Sequence, residues 1–194
     1  MANIAEKYFQ NLLKTITSIR VTDQAGRSLN FYEGIETVGK MITSRAVSGH
    51  KVMFIGNGAS AAISSHMASD FSKNGNMRAM AFNDAPLLTA VSNDLGYQHV
   101  FERPITMFAD EGDVLFAISS SGRSENVLRG VQAARAKGCM IITLSGFETD
   151  NPLCTLGEMN FYVPSQSYGP VEVIHHSICH SILDVIMLTR SVKT

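Results

Sequence analysis

From Lys51 onward, short apolar runs alternate with segments of helical period, and this rhythm constrains the fold more than any other feature of the chain. The runs are "KVMFIG", "RAMAF", "DVLFAIS", "MIITLSG" and "MNFYVPS". Between and after them lie "ASAAISSHMASDFSKN", "APLLTAVSND", "HVFERPITMF", "SENVLRGVQAARAKG" and "PVEVIHHSICHSILDVIMLTR". Short apolar runs read as strands buried on both faces. Their alternation with helices predicts an α/β fold: a five-stranded parallel sheet with helices on both faces. Ligands of such sheets bind beyond the carboxyl ends of the strands. Three segments fall there: "GNGAS", "SSSGRS" and "SGFETD".

The first 50 residues differ. Phe9, Leu12, Leu13, Ile16 and Ile19 recur at helical spacing, as do Ile35, Val38, Met41 and Ile42, with polar "VTDQAGRSLN" between them. They are expected to form an oligomerising helical arm, residues 1–50, ahead of one sheet domain, residues 51–194. Sixteen basic residues against 17 acidic ones leave no basic stripe, so no nucleic-acid partner is expected. A 45% hydrophobic, 17% charged composition points to surface covered by other subunits. No apolar run approaches the roughly 18–20 residues of a membrane span, and the N-terminus has no signal-peptide core. Cys139, Cys154 and Cys179 are odd in number and show no CxxC spacing. They suit a reducing cytoplasm and exclude a zinc ribbon.

Two loops invite a phosphate. In "IGNGASA", Gly56 and Gly58 permit a tight turn, and Ser60 with the first amides of the next helix can hold an anion. Taken alone the segment is equally a plain turn, since neither the dinucleotide fingerprint nor the Walker A loop is present. "SSSGRSEN" repeats the design after the third strand. Ser124 suits a helix N-cap, which leaves Ser119, Ser120 and Ser121 in surplus. Amides and hydroxyls from both loops can converge on one phosphate without a Lys or Arg.

A polar cluster invites proton transfer or metal binding. His66 and Asp70 stand four apart on one helix; Glu172, His176 and His180 form an i, i+4, i+8 stripe on another, with His175 beside it. One reading is general acid–base chemistry by His180 and a carboxylate. Another is a divalent metal on His66, Asp70, Glu172 and His180. The two are compatible, because a metal with an open position also polarises a carbonyl.

Together "GNGAS", "VSNDLGYQHVF", "EGDVLFAISSSGRSENV", "AARAKGCMIITLSG" and "EVIHHSICH" resemble, in order and spacing, the sugar isomerase (SIS) family, and within it the phosphoheptose isomerases. The resemblance covers nearly the whole chain and implies a flavodoxin-like or Rossmann-like three-layer fold. It implies phosphate contacts at Ser60, Ser119, Ser120, Ser121 and Ser124, and sugar contacts at Asn57, Gly58, Asp94 and Glu172. It further implies one divalent metal, zinc, on His66, Asp70, Glu172 and His180, with Asp70 as base and His180 as acid. The implied reaction converts sedoheptulose 7-phosphate to glycero-manno-heptose 7-phosphate, feeding surface-polysaccharide or nucleotide-sugar synthesis. The implied assembly is a homotetramer with active sites between subunits. A non-catalytic alternative is an SIS module that senses a phosphosugar or binds a replication-initiator protein. Asp70 replaces the family Glu and Glu172 the family Gln. Asn74 and Gly169-Pro170 replace an Arg and an Asp-Arg pair, so the substrate-facing rim differs.

Overall fold

The strands of this protein alternate their side chains between two buried apolar layers. The computed structural model describes residues 3–191. In β3 (Val52–Gly56), Val52 and Phe54 enter one core while Met53 and Ile55 enter the other. β5 (Val114–Ser119) and β6 (Met140–Ser145) repeat the pattern and are buried throughout. This period-2 division is why the apolar runs are nearly continuous.

Helices cover both faces. α2 (Phe31–Val47), α3 (Ala59–Lys73) and α7 (Tyr168–Ser191) pack on one side through Ile35, Val38, Met67, Phe71, Ile178 and Ile182. Phe54 stacks on Phe116 at 4.8 Å, with Phe71 edge-on to Phe54 at 5.2 Å. α4 (Ala85–Leu95), α5 (Glu102–Phe108) and α6 (Glu125–Ala136) cover the other side through Val91, Ile105, Val127 and Val131. α7 has the length and composition of a membrane span, but its apolar stripe is spent on the sheet.

β3, β4 (Ala79–Ala81), β5, β6 and β7 (Met159–Tyr162) are the five expected strands, and all are parallel. The sheet nevertheless has seven strands, not five. The polar stretch expected to link two helices forms a hairpin, β1 (Arg20–Asp23) and β2 (Ser28–Leu29). β1 runs antiparallel against β7, pairing Val21 with Phe161, and Val21 is buried. Val21, Ala25 and Leu29, four residues apart in a polar run, give too little alternation to mark a strand. The sheet and core therefore continue across residue 50, while α1 (Ile4–Ile16) stands largely exposed.

The order β2-β1-β7-β6-β5-β3-β4 fixes where a ligand can enter. From β3 the chain moves outward to β4, then returns to the other side of β3 as β5. The reversal opens a crevice at the carboxyl ends of β3 and β5, the topological switch point of a doubly wound sheet. The two hydroxyl-rich loops leave from those two strands.

Candidate functional site

Both loops end in helices whose first amides are left without a side-chain cap. α1, α2 and α4 are capped by Asn3, Asn30 and Asp84. α3 begins at Gly58, which has φ 55° and ψ −123° and offers no capping atom. Such a conformation is open only to Gly. The preceding Gly56 is equally obligatory: a Cβ there would lie 2.6 Å from Ser60 Cβ and 2.8 Å from the Ile118 carbonyl. α6 begins at Ser124, in the N-cap position as expected, but its hydroxyl does not cap. It turns instead to Ser119, 3.3 Å away. Two uncapped helix N-termini at one crevice present free N–H donors and positive potential.

The serines divide by environment. Ser119 Oγ accepts from Gly122 N at 3.2 Å, and Ser121 Oγ from Arg123 N at 3.3 Å. Ser60 and Ser120 are buried, and among the described residues neither hydroxyl has a hydrogen-bond partner. Neither hydroxyl oxygen is itself fully buried, so both are open to solvent and free to donate to an incoming acceptor. The serine loop is held from behind by Asn151, whose amide donates to Gly146 O and Glu148 O at 3.2 and 2.8 Å.

Asn57 locks the two loops together. Its amide and that of Asn126 exchange two hydrogen bonds of 2.9 Å, and Tyr97 OH donates to Asn57 Oδ1 at 2.9 Å. A cavity of ≈ 590 Å³ opens here, lined by Asn57, Tyr97, Gln98, Ser124, Asn126 and Arg129 among others. Asn126 and Tyr97 stand inside the motifs read from the sequence. Their role depends on pairing across 69 and 40 residues, which local spacing cannot reveal.

Farther along α3 lies the ionisable cluster. His66 is six residues from Ser60, roughly 9 Å along the helix. His66 Nε2 is 3.3 Å from Asp70 Oδ2, as the i, i+4 spacing predicts. α7 packs on α3 and brings His180 Nδ1 to 3.8 Å from the same carboxylate oxygen. His176, one turn from His180, joins them. Its ring lies 4.6 Å from that of His180 and 5.2 Å from that of His66. Ligand nitrogens of all three histidines fall within 4.8 Å of one another.

His176 Nε2 is buried and has no hydrogen-bond partner. Burial pushes the His176 imidazole below its usual pKa, with His180 and His66 adding to the effect and Asp70 opposing it. A neutral imidazole keeps a lone pair free for a cation. Glu172 is the exception among the expected ligands: it is half-buried and makes no hydrogen bond or ion pair among the described residues. Asp94 is exposed and takes only a 2.8 Å hydrogen bond from neighbouring Asn93.

A doubly wound sheet with hydroxyl-rich loops at its switch point and an Asp/His cluster beside them defines a class, and sequence comparison identifies it. The family model for the SIS domain matches residues 7–146, and the chain belongs to that family. Within it, the chain is similar to phosphoheptose isomerases. It is 33% identical to that of Helicobacter hepaticus over 78% of this chain and 80% of the relative. It is 34% identical to that of Vibrio cholerae over 78% and 82% of the two chains. The solved phosphoheptose isomerase of Neisseria gonorrhoeae superposes with a TM-score of 0.80 at 25% identity, covering 94% of this chain and 96% of the other.

Proposed function

We propose that this protein is a ketose–aldose isomerase of a sugar phosphate, interconverting sedoheptulose 7-phosphate and glycero-manno-heptose 7-phosphate. One observation carries the reading: a crevice with two uncapped helix N-termini and unpartnered serines lies roughly 15 Å along α3 from an Asp70–His180 pair. A phosphosugar is bipartite in the same way, with an anionic tail and a distant carbonyl. The named relatives, all phosphoheptose isomerases, give the substrate its size.

The phosphate is held by amides at the starts of α3 and α6 and by Ser60, Ser119, Ser120, Ser121 and Ser124. Asn57, Gly58, Asp94 and Glu172 serve the sugar. Binding the remote phosphate positions C1 and C2 for reaction. Asp70 removes a proton from C1 of the ketose, giving an enediol, exchanges it with solvent, and delivers a proton to C2. His180 donates a proton to O2 as the C2 carbonyl electrons move, and takes one from O1 as the aldehyde forms. Each positioned acid or base contributes about 10²–10⁴-fold.

A divalent metal fits this site. The buried, unpartnered Nε2 of His176 beside two further imidazoles and a carboxylate is a donor set that zinc favours. His66, Asp70 and His180 would hold the ion, with Glu172 about two turns from His180 along α7. Bound there, it would supply Lewis-acid polarisation of the sugar oxygens. The protein acts in the cytoplasm as a homotetramer, a reading supported by the apolar residues that α1 leaves exposed.

The test is turnover of sedoheptulose 7-phosphate against a panel of shorter sugar phosphates, with the protein loaded with zinc. Selective turnover of the heptose is expected. Inactivity on every member would overturn the reading.

A further inference from the structure

The ligand set implied by family resemblance contains two imidazoles and two carboxyl residues. The structure brings a different set together. His176 and His180 stand four residues apart on α7 with ring centroids 4.6 Å apart. His66 reaches across from α3, its ring edge-on to His176 at 5.2 Å and 5.3 Å from His180. Glu172, at the position expected to ligate, has no hydrogen bond or ion pair with any of them.

We propose that His176 is a metal ligand, so that this chain holds its cation with three imidazoles, His66, His176 and His180, and the single carboxylate of Asp70. The inference rests on the metal reading of the site given above. Its support is twofold. The ligand nitrogens of the three rings lie within 4.8 Å of one another. The Nε2 of His176 is buried and has no hydrogen-bond partner among the described residues, an arrangement that is unfavourable unless a ligand completes it.

The donor chemistry sets the cation. Three nitrogens and one oxygen suit zinc, cobalt or nickel, and suit magnesium or calcium poorly, since those take oxygen ligands. A three-imidazole, one-carboxylate centre leaves Glu172 free of the metal. It is then available to the sugar, one turn nearer the phosphate end of α7.

Metal-free full-length protein, titrated with cobalt(II) by visible absorption and with zinc(II) against a chromophoric chelator, tests this without reference to activity. Wild type is expected to bind one ion per chain. His176→Ala is expected to weaken binding by more than about 100-fold, beyond the 10–100-fold typical of outer-shell changes, and to alter the cobalt spectrum. Glu172→Gln is expected to change neither. Wild-type affinity and spectrum in His176→Ala would overturn the proposal while leaving a metal on the remaining ligands. No binding by wild type would overturn it together with the metal reading, and the isomerase assay would stand separately. Should His176→Ala not fold, ring-¹⁵N NMR of wild type decides: the His176 nitrogen signals shift on adding zinc, and unshifted signals overturn the proposal.

Discussion

Gly122 shows how tightly the serine loop is specified. Its φ of 61° disfavours any side chain, and a Cβ there would run into the amide of Asn151, the residue that braces the loop. Gly122→Ala is expected to destabilise the fold by about 1–3 kcal/mol and to raise KM, read by urea denaturation and initial rates. His175 is a second constrained residue. It is fully buried, with Nε2 3.1 Å from the Ser145 carbonyl oxygen and Nδ1 unpartnered. Burial pushes its pKa down from 6.5 to about 4. Between those pH values the unfolded chain binds a proton that the folded chain refuses. Stability therefore falls as pH drops from 6.5 toward 4, by about 3 kcal/mol in all. Denaturation of the chelator-treated protein at pH 7 and pH 4.5 measures this. His175→Gln should flatten the slope, and an equal slope in both proteins would contradict the assignment.

At the scale of elements, function depends on what the helices lack. α3 and α6 forgo the caps that α1, α2 and α4 possess. Their N-terminal amides and the unpartnered hydroxyls of Ser60 and Ser120 are left free, as the proposed phosphate grip requires. Ser60→Ala and Ser120→Ala each remove a hydrogen bond to a charged acceptor, worth about 1.5–3 kcal/mol. KM for the phosphosugar is expected to rise roughly 10–100-fold with kcat far less affected. A fall in kcat at constant KM would place these serines elsewhere in the reaction. Much of this was visible in sequence: the apolar runs of β3, β5 and β6, the two glycine–serine loops, and the His66–Asp70 spacing. The β1–β2 hairpin was not, because its pairing is with β7, some 140 residues away, and only Val21 carries the buried pattern. The position of Ser124 suits a cap; only the three-dimensional turn reveals that its hydroxyl pairs with Ser119. Asn126 is equally hidden, and His176 shows in the sequence only as a member of the α7 stripe, since each gains its role from a residue on another element.

The whole molecule is arranged around one reversal of strand order, which brings two glycine–serine loops to the same crevice and sets α3 and α7 beside it. α1 stands apart, with Ile4, Phe9 and Leu13 exposed at 86%, 61% and 66%. Apolar side chains exposed in series along one helix are suited to burial by other subunits. Phe9→Glu with Leu13→Glu is expected to lower the mass measured by light scattering from that of the proposed tetramer to a smaller species, and an unchanged mass would remove α1 from the interface. The central claim, proton transfer between C1 and C2 by Asp70 and His180, is tested most directly by NMR of sedoheptulose 7-phosphate with the zinc-loaded protein in D₂O. Wild type should form the aldose and wash deuterium into C1 of the ketose and C2 of the aldose, while Asp70→Asn and His180→Ala, folded by circular dichroism, do so at least about 10²-fold more slowly. Deuterium exchange at the wild-type rate in both variants would contradict the account.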